Sequence, residues 1–297
     1  MFEYSTRNPS VPVACYTGTA MHTQAEMLVA YLGETEARAV MDEVWGQLKA
    51  CEQKCNRFHR TSALAEINSH AADKPVTVDD ELYMMLEMCR TFCRLTDGCF
   101  DICANKASRT SSLGVDAYTL DPTNHTIRFA APDIRLDMGG FAKGYILEQM
   151  QRTLKAHGVT CGILNIGNSS SCAIGHHPYG KWWPVSVCHP FYAGREAFTV
   201  HLCDSALSIS GLDNSGCPHI VDPTTGNLLE RPEMIAVEGT SPLIVEVLST
   251  ALYVSEPSHR AEILERFTDY KAGRGLQVRT SDSSVQSPPI SPCGVCG

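Results

Sequence analysis

Three short stretches hold residues whose types and spacing suit chemistry. In IRLDMGGFAKGY, Ile134 to Tyr145, a doubled glycine (Gly139, Gly140) leads from a short apolar run into a helix, and Lys143 stands one step inside it. Glycines let a pyrophosphate approach the main chain, a helix N-terminus offers unpaired N–H groups, and a lysine adds a point charge. A tight strand-to-helix turn with an incidental lysine has the same appearance. A nucleotide-binding P-loop is excluded, because it needs a longer glycine-spaced loop and a Ser or Thr directly after its lysine, where this chain has Gly144. A dinucleotide fingerprint fails as well, since neither the glycine spacing nor a strand and helix alternation is present.

The second stretch is LIVEVLSTALYV, in which Glu246 and Thr250 are four apart and share a helix face. A carboxylate and a hydroxyl converging on one point are oxygen-only donors, which suit a hard cation such as Mg²⁺ rather than zinc. A surface glutamate would be the plain alternative. The neighbours Leu243, Ile244, Val245, Val247, Leu248, Ala251 and Leu252 argue against it, because a helix apolar nearly all round is buried and a lone carboxylate there needs a partner. The third stretch, ALSISGLDNSGCPHIVDPTTG, carries Ser210, Gly211, His219, Asp222 and Thr225 in or beside turns that bound short strands, where a scaffold presents chemistry. Taken singly these residues are ordinary: a lone histidine is usually satisfied structurally and DPTTG is a common turn composition.

The elements that must position these residues follow from periodicity. Apolar residues recur near the helical period over 23–58, and a second helix is expected over 80–95, opened by an acidic pair and stopped before a Thr-Asp-Gly. From 126 onward the texture is of strands, including TIRFA, DIRLDM, CGILNIG, SSCAIG, WPVSV, EAFTVHL, SALSIS and MIAVEG, with helices at about 144–157, 243–254 and 259–267. No repeat or linker divides the chain, so the expectation is one α+β domain over 16–275, preceded by an N-terminal extension, 1–15, and followed by a flexible Ser/Pro-rich tail, 276–297. That tail holds a single CxxC, Cys293 and Cys296, too little to argue for zinc.

Bulk properties exclude further classes. With 43% hydrophobic residues in 297, the chain can bury a large core, and a net charge of −9 argues against a partner held by bulk positive charge, such as nucleic acid or anionic lipid. Any polyanion it binds must be small or bridged by a metal. The opening lacks a secretory pattern and no apolar run is long enough to span a membrane, which predicts a cytoplasmic protein. Most of the fourteen cysteines are expected to be reduced core residues, since Cys51/Cys55 and Cys89/Cys93 have helical spacing within apolar stripes.

In chain order the three stretches resemble the ApbE family, the FAD:protein FMN transferases. LDMGGFAKGY is similar to that family's LDLGG-x-AKGY, ILNIGNSS to its NIGGN strand, SISG…PHIVDPTTG to TSG…HHIIDPxTG, and VEVLSTALYV to ADALSTALFV. Upstream, CNRFHRTSALAEIN resembles SxFxxxSELSRLN, DGCFDI resembles GxFDxT, and YTGTAM an MGT strand, so the likeness runs from about Tyr16 to Phe267.

The resemblance implies a single α+β fold of mixed or antiparallel sheets with packed helices in two lobes, with FAD and Mg²⁺ bound between them. It implies transfer of the FMN moiety of FAD to a Ser or Thr hydroxyl of an acceptor protein, a redox or electron-transfer subunit, with release of AMP. It assigns the metal to the main-chain carbonyl of Gly140 and the side chains of Glu246 and Thr250; FAD to Asp137, Gly139 and Lys143, with Phe58, Asp101 and Ile220 lining its pocket; and the role of base to His219. Phe58 is equally readable as core.

Departures bear on rate more than on binding. Glu246 replaces an aspartate and adds a methylene, Asn168 replaces a glycine, Pro218 replaces one histidine of a pair, and the segment after FDxT is shortened to CANKASRT. Phosphoryl transfer needs tighter alignment than binding does. Three readings therefore stay open: a flavin transferase, a Mg²⁺-dependent FAD pyrophosphatase using water on the same site, and a catalytically weakened flavin-binding or assembly protein. No acceptor-like segment is present, so self-modification is not expected.

Overall fold

The computed structural model describes residues 1–104, 114–189, 194–212, 217–231, 233–267 and 276–282. The chain opens with β1 (Phe2–Ser5), β2 (Val13–Ala20) and β3 (Thr23–Ala30), then α1 (Glu34–Cys55), α2 (Ala63–His70), β4 (Val76–Thr77) and α3 (Asp80–Leu95). It continues through β5 (Tyr118–Asp121), β6 (Thr126–Phe129), α4 (Ala142–Ala156), β7 (Gly162–Ile166), β8 (Ser170–Ile174), β9 (Trp183–Cys188) and β10 (Glu196–Leu202). It closes with β11 (Ala206–Ser210), β12 (Glu233–Gly239), α5 (Pro242–Val254), α6 (Arg260–Phe267) and β13 (Gln277–Asp282).

Eight strands form one sheet in the order β1-β2-β3-β7-β8-β11-β12-β13, and every neighbouring pair is antiparallel. Period-two side-chain alternation gives this sheet two buried faces. On β11, Ala206 belongs to the main core with the helices, whereas Leu207 belongs to a second cluster. In that second cluster Trp183, Val187, Val200 and Leu202 of the β9–β10 hairpin pack against Ala173, Leu207, Met234 and Ala236. On the first face α4 and α5 pack on each other, with α5 over β11 and β12 and α4 over β8. A small sheet, β4-β6-β5, is tied to α3 by the hydroxyl of Tyr118, which donates to the Leu86 carbonyl at 3.2 Å. The α+β class, with antiparallel sheets and packed helices, is as the sequence predicts.

Four expectations change. The helix expected over 23–58 is a strand and a helix: Ala25, Met27 and Val29 are buried alternately on β3, and Tyr31 at φ 70° separates that strand from α1. The run DIRLDM forms no strand, because the main chain of Leu136 is taken by the Asn68 side chain, which accepts from its N–H at 2.7 Å and donates to its carbonyl at 3.0 Å. Residues 1–15 are not an appendage, since β1 is the edge strand of the main sheet and pairs with β2, which begins at Val13. Within the stretch expected as a tail, 276–297, residues Gln277–Asp282 pair with β12; Cys293 and Cys296 lie outside the described residues. All twelve cysteines among the described residues are free thiols, seven of them buried.

Candidate functional site

The site forms where α4 and α5 cross the strands β8 and β11. In the β8–β11 register Ser170 and Ser208 are direct cross-strand partners, so their side chains project from one face of the sheet. Both hydroxyls donate to Oε2 of Glu246, at 2.7 Å and 2.8 Å. Two residues along β11 on the same face, Ser210 lies 2.9 Å from the hydroxyl of Ser249 and 3.3 Å from that of Thr250. The helix that carries Glu246 starts cleanly: Ser241 accepts from the Ile244 N–H at 3.2 Å and Pro242 occupies the first turn. Glu246 is only 3% exposed, so its charge must be met inside the protein.

Lys143 meets it. Its ammonium is 3.1 Å from Oε1 of Glu246 and donates to the hydroxyls of Ser169 and Ser170 at 2.5 Å and 3.0 Å. Close approach of the two helices is made possible by Gly144. A Cβ there would lie 2.5 Å from the Glu246 Cβ and 2.6 Å from the Pro242 carbonyl oxygen, both impossible contacts. Gly144 thus carries a packing role beyond its place after the lysine.

The doubled glycine forms the turn that leads into α4. Asp137 accepts from the Gly139 N–H at 2.9 Å, and its own N–H donates to the Ile102 carbonyl at 2.7 Å. Gly140 lies against Thr250, since a Cβ on it would sit 3.0 Å from Thr250 Oγ1 and 3.6 Å from the ring of Phe100. The structure sets Gly140 against Thr250, one helical turn from Glu246, and Lys143 against the Glu246 carboxylate; the shared helix face of Glu246 and Thr250 is as their spacing predicts. The Glu246 carboxylate faces Lys143 and the serines, while the Thr250 hydroxyl donates to the Glu246 main-chain carbonyl at 3.3 Å.

Such a donor set fits a hard divalent cation on chemistry. A backbone carbonyl, a hydroxyl and a carboxylate are the oxygen donors a hard cation takes; Gly140 lies against Thr250, Thr250 is one helical turn from Glu246, and the Glu246 carboxylate has a cationic group against it.

Phe58 is 71% exposed and is not core. The guanidinium of Arg57 lies 4.4 Å over its ring, and the His22 ring approaches it edge-on at 6.1 Å. Arg57 Nε is in turn 3.0 Å from Oδ2 of Asp137, which joins this aromatic platform to the glycine turn. Asp101 has a different occupation: its two oxygens accept from the N–H groups of Cys103 and Gly114 at 2.8 Å and 2.7 Å, and burial pushes its carboxyl above the ordinary carboxylate range. Ile220 packs against the main core, and the neighbouring His219 is exposed in the segment after β11.

Sequence reasoning missed Ser169, Ser170, Ser208 and Ser249, the hydroxyls that surround Glu246, and Arg57. The only local signal for the strand serines is that Ser208 and Ser210 recur with period two beside apolar Leu207 and Ile209.

Comparison with known proteins agrees with this architecture. The profile described as the ApbE family matches residues 18–272. A FAD:protein FMN transferase of Treponema pallidum (strain Nichols) is 24% identical over 275 residues, covering 78% of this chain and 75% of that protein. Its counterpart in Salmonella typhimurium is 22% identical over 316 residues, covering 93% and 89%. Among solved structures, the ApbE protein of Thermotoga maritima superposes with a TM-score of 0.76 at 20% identity, covering 95% of this chain and 97% of that one. The flavin transferase ApbE of Vibrio cholerae gives 0.73 at 17%, covering 92% and 98%.

Proposed function

The chain belongs to the ApbE family and is a transferase, and we propose that it moves the FMN moiety of FAD, with Mg²⁺, to a Ser or Thr hydroxyl of an acceptor protein, releasing AMP. The observation that carries this reading is the buried Glu246 carboxylate set against the Lys143 ammonium, one helical turn from a Thr250 that touches Gly140. It is the arrangement expected of a site that gathers cationic charge for a pyrophosphate.

The Gly140 carbonyl, Glu246 and Thr250 would hold Mg²⁺, which when bound neutralises charge on the phosphates and polarises the phosphorus to be attacked. Lys143 supplies a compact positive charge at the start of α4 for the same phosphates. Asp137 and Gly139 shape the turn that a pyrophosphate approaches. The Phe58 ring, backed by Arg57, offers a flat exposed face on which an isoalloxazine or adenine ring stacks. Ile220 gives the pocket an apolar wall. Asp101 braces the loop beneath Asp137 through main-chain hydrogen bonds and acts on the pocket through that loop.

In the reaction the acceptor hydroxyl oxygen bonds to the FMN phosphorus as the bond to the AMP oxygen breaks. His219, an imidazole exposed in the segment after β11, takes the hydroxyl proton. The acceptor is proposed to be a redox or electron-transfer subunit. Among the described residues no helix is long and apolar enough to cross a membrane.

Glu246 variants test the reading. Glu246→Asp should retain Mg²⁺-dependent covalent flavin on an acceptor domain and stoichiometric AMP release, while Glu246→Gln should lose both and keep the native circular dichroism spectrum. Glutamine keeps shape and hydrogen bonding but cannot neutralise a dication. A fully active Glu246→Gln protein would remove Glu246 from the site. AMP release by the parent without covalent flavin would instead make it a pyrophosphatase.

A further inference from the structure

We propose that Lys143 is a movable counter-ion that couples the two ligands of this site: in the free protein it neutralises Glu246, and a pyrophosphate that draws it away frees that carboxylate for a divalent cation. The inference rests on the function proposed above and adds a role for Lys143 in the unliganded protein.

Three observations carry it. First, the two oxygens of Glu246 are unequally held. Ser170 and Ser208 both donate to Oε2, fixing it against the sheet, whereas Oε1 faces the Lys143 ammonium at 3.1 Å. A buried carboxylate with one oxygen pinned has the other available to a single cation at a time. Second, among the described residues Lys143 is held by exchangeable partners, namely Glu246, Ser169 and Ser170, and its side chain is 22% exposed against 4% for that of Glu246. Its four-carbon stem swings readily, while the carboxylate is locked between α4, α5 and the serines. Third, at Gly144, the residue after Lys143, a Cβ would lie 2.5 Å from the Glu246 Cβ, so the contact of α4 with α5 holds the stem of the carboxylate in place beside the lysine.

An ammonium and a dication at the same carboxylate oxygen repel strongly in a site this dry. A cation alone must therefore displace Lys143, whose one carboxylate partner among the described residues is Glu246 itself. With FAD present, the same ammonium moves onto phosphate oxygens and the competition ends. Linkage requires the effect to be reciprocal: FAD tightens the cation by the factor by which the cation tightens FAD.

The test is the affinity for Mn²⁺, read by electron paramagnetic resonance of the free ion, with and without FAD and with no acceptor protein. The parent should bind Mn²⁺ weakly alone and much more tightly with FAD. Lys143→Gln, neutral but still able to donate to Glu246, should bind Mn²⁺ alone at least about tenfold more tightly than the parent, about 1.4 kcal/mol. Its gain from FAD should shrink. Lys143→Arg, which keeps the charge, should stay close to the parent. Lys143→Met provides a second neutral variant, and for both neutral proteins Mn²⁺ alone should raise the melting temperature more than it does for the parent. Unchanged or weaker Mn²⁺ binding in folded neutral variants, with a parent that takes up both FAD and Mn²⁺, overturns the coupling role and leaves the proposed function standing. A parent that takes up neither overturns both.

Discussion

Two ion clusters in this molecule use similar groups and have opposite characters. In the first, Lys143 and Glu246 are enclosed by α4, α5 and the serines of β8 and β11. In the second, near the end of α3, Asp97, His259 and Glu262 place their ligand-type atoms within 4.8 Å of one another, a spacing that by itself suggests a metal. Yet Arg266 already pairs with both acids, 2.7 Å from Asp97 and 2.6 Å from Glu262, and His259 fills the remaining directions at 3.1 Å and 3.3 Å. Those carboxylates are 43% and 60% exposed, so water screens whatever the arginine leaves. Proximity of donors does not make a site. What distinguishes the first cluster is burial of the anion, which obliges it to keep a cationic partner and makes exchange of that partner consequential.

The contrast is most easily broken at the anion. Glu246→Ala leaves Lys143 facing two hydroxyls with no counter-charge, and should cost about 3–5 kcal/mol in urea unfolding. A loss no larger than that of a surface substitution would mean the first cluster is as screened as the second. Next in size is Gly144→Ala, which forces a methyl into the Glu246 Cβ and the Pro242 carbonyl, and α4 and α5 must part. We expect a loss of about 1–3 kcal/mol and a weakened Lys143–Glu246 pairing, measured by calorimetry. A neutral outcome would show that the helices slide without cost.

The smallest effect belongs to the exposed cluster. Arg266→Ala should lower the melting temperature at pH 7 by less than either change above. It should also alter the acid limb of stability. Arg266 is the main reason that the Asp97 carboxyl is held below its ordinary value of 3.8, with His259 adding to it. A carboxyl depressed on folding stabilises above its unfolded pKa and loses that contribution as pH falls through the folded one, so the window lies at and below about pH 4. In Arg266→Ala the melting temperature should depend less on pH there than in the parent. An unchanged acid limb would assign the dependence to other carboxylates.

Local signals and tertiary facts separate cleanly in this chain. The helix over 80–95 is legible because it has end signals and an apolar period, and that over 243–254 because its residues are apolar nearly all round; Asp79 indeed caps the first by accepting from the Leu82 N–H at 2.8 Å. The strand β3 was hidden because Met27, Ala30 and Tyr31 happen to fall at helical spacing just ahead of a true helix, and its hairpin turns on Met21 and His22 at φ 53° and 60°, residues with no turn signature. DIRLDM has strand composition, and only the side chain of Asn68, 68 residues away, decides that its main chain pairs elsewhere.

By itself the sequence determined that Lys143 begins a helix after two glycines, that Glu246 and Thr250 share the face of a buried helix, and therefore that a carboxylate must find a cation inside the protein. Those are consequences of helical geometry and of the cost of burying charge, both local to a segment. Which cation, and which hydroxyls, were decided only by the tertiary structure. Ser170 and Ser208 come from strands that are adjacent solely through sheet pairing, and Lys143 reaches Glu246 solely because Gly144 lets two helices touch. Compensation of a buried charge is a property of the space around it, and the residues that fill that space are separated in the chain by up to 103 positions, from Lys143 to Glu246.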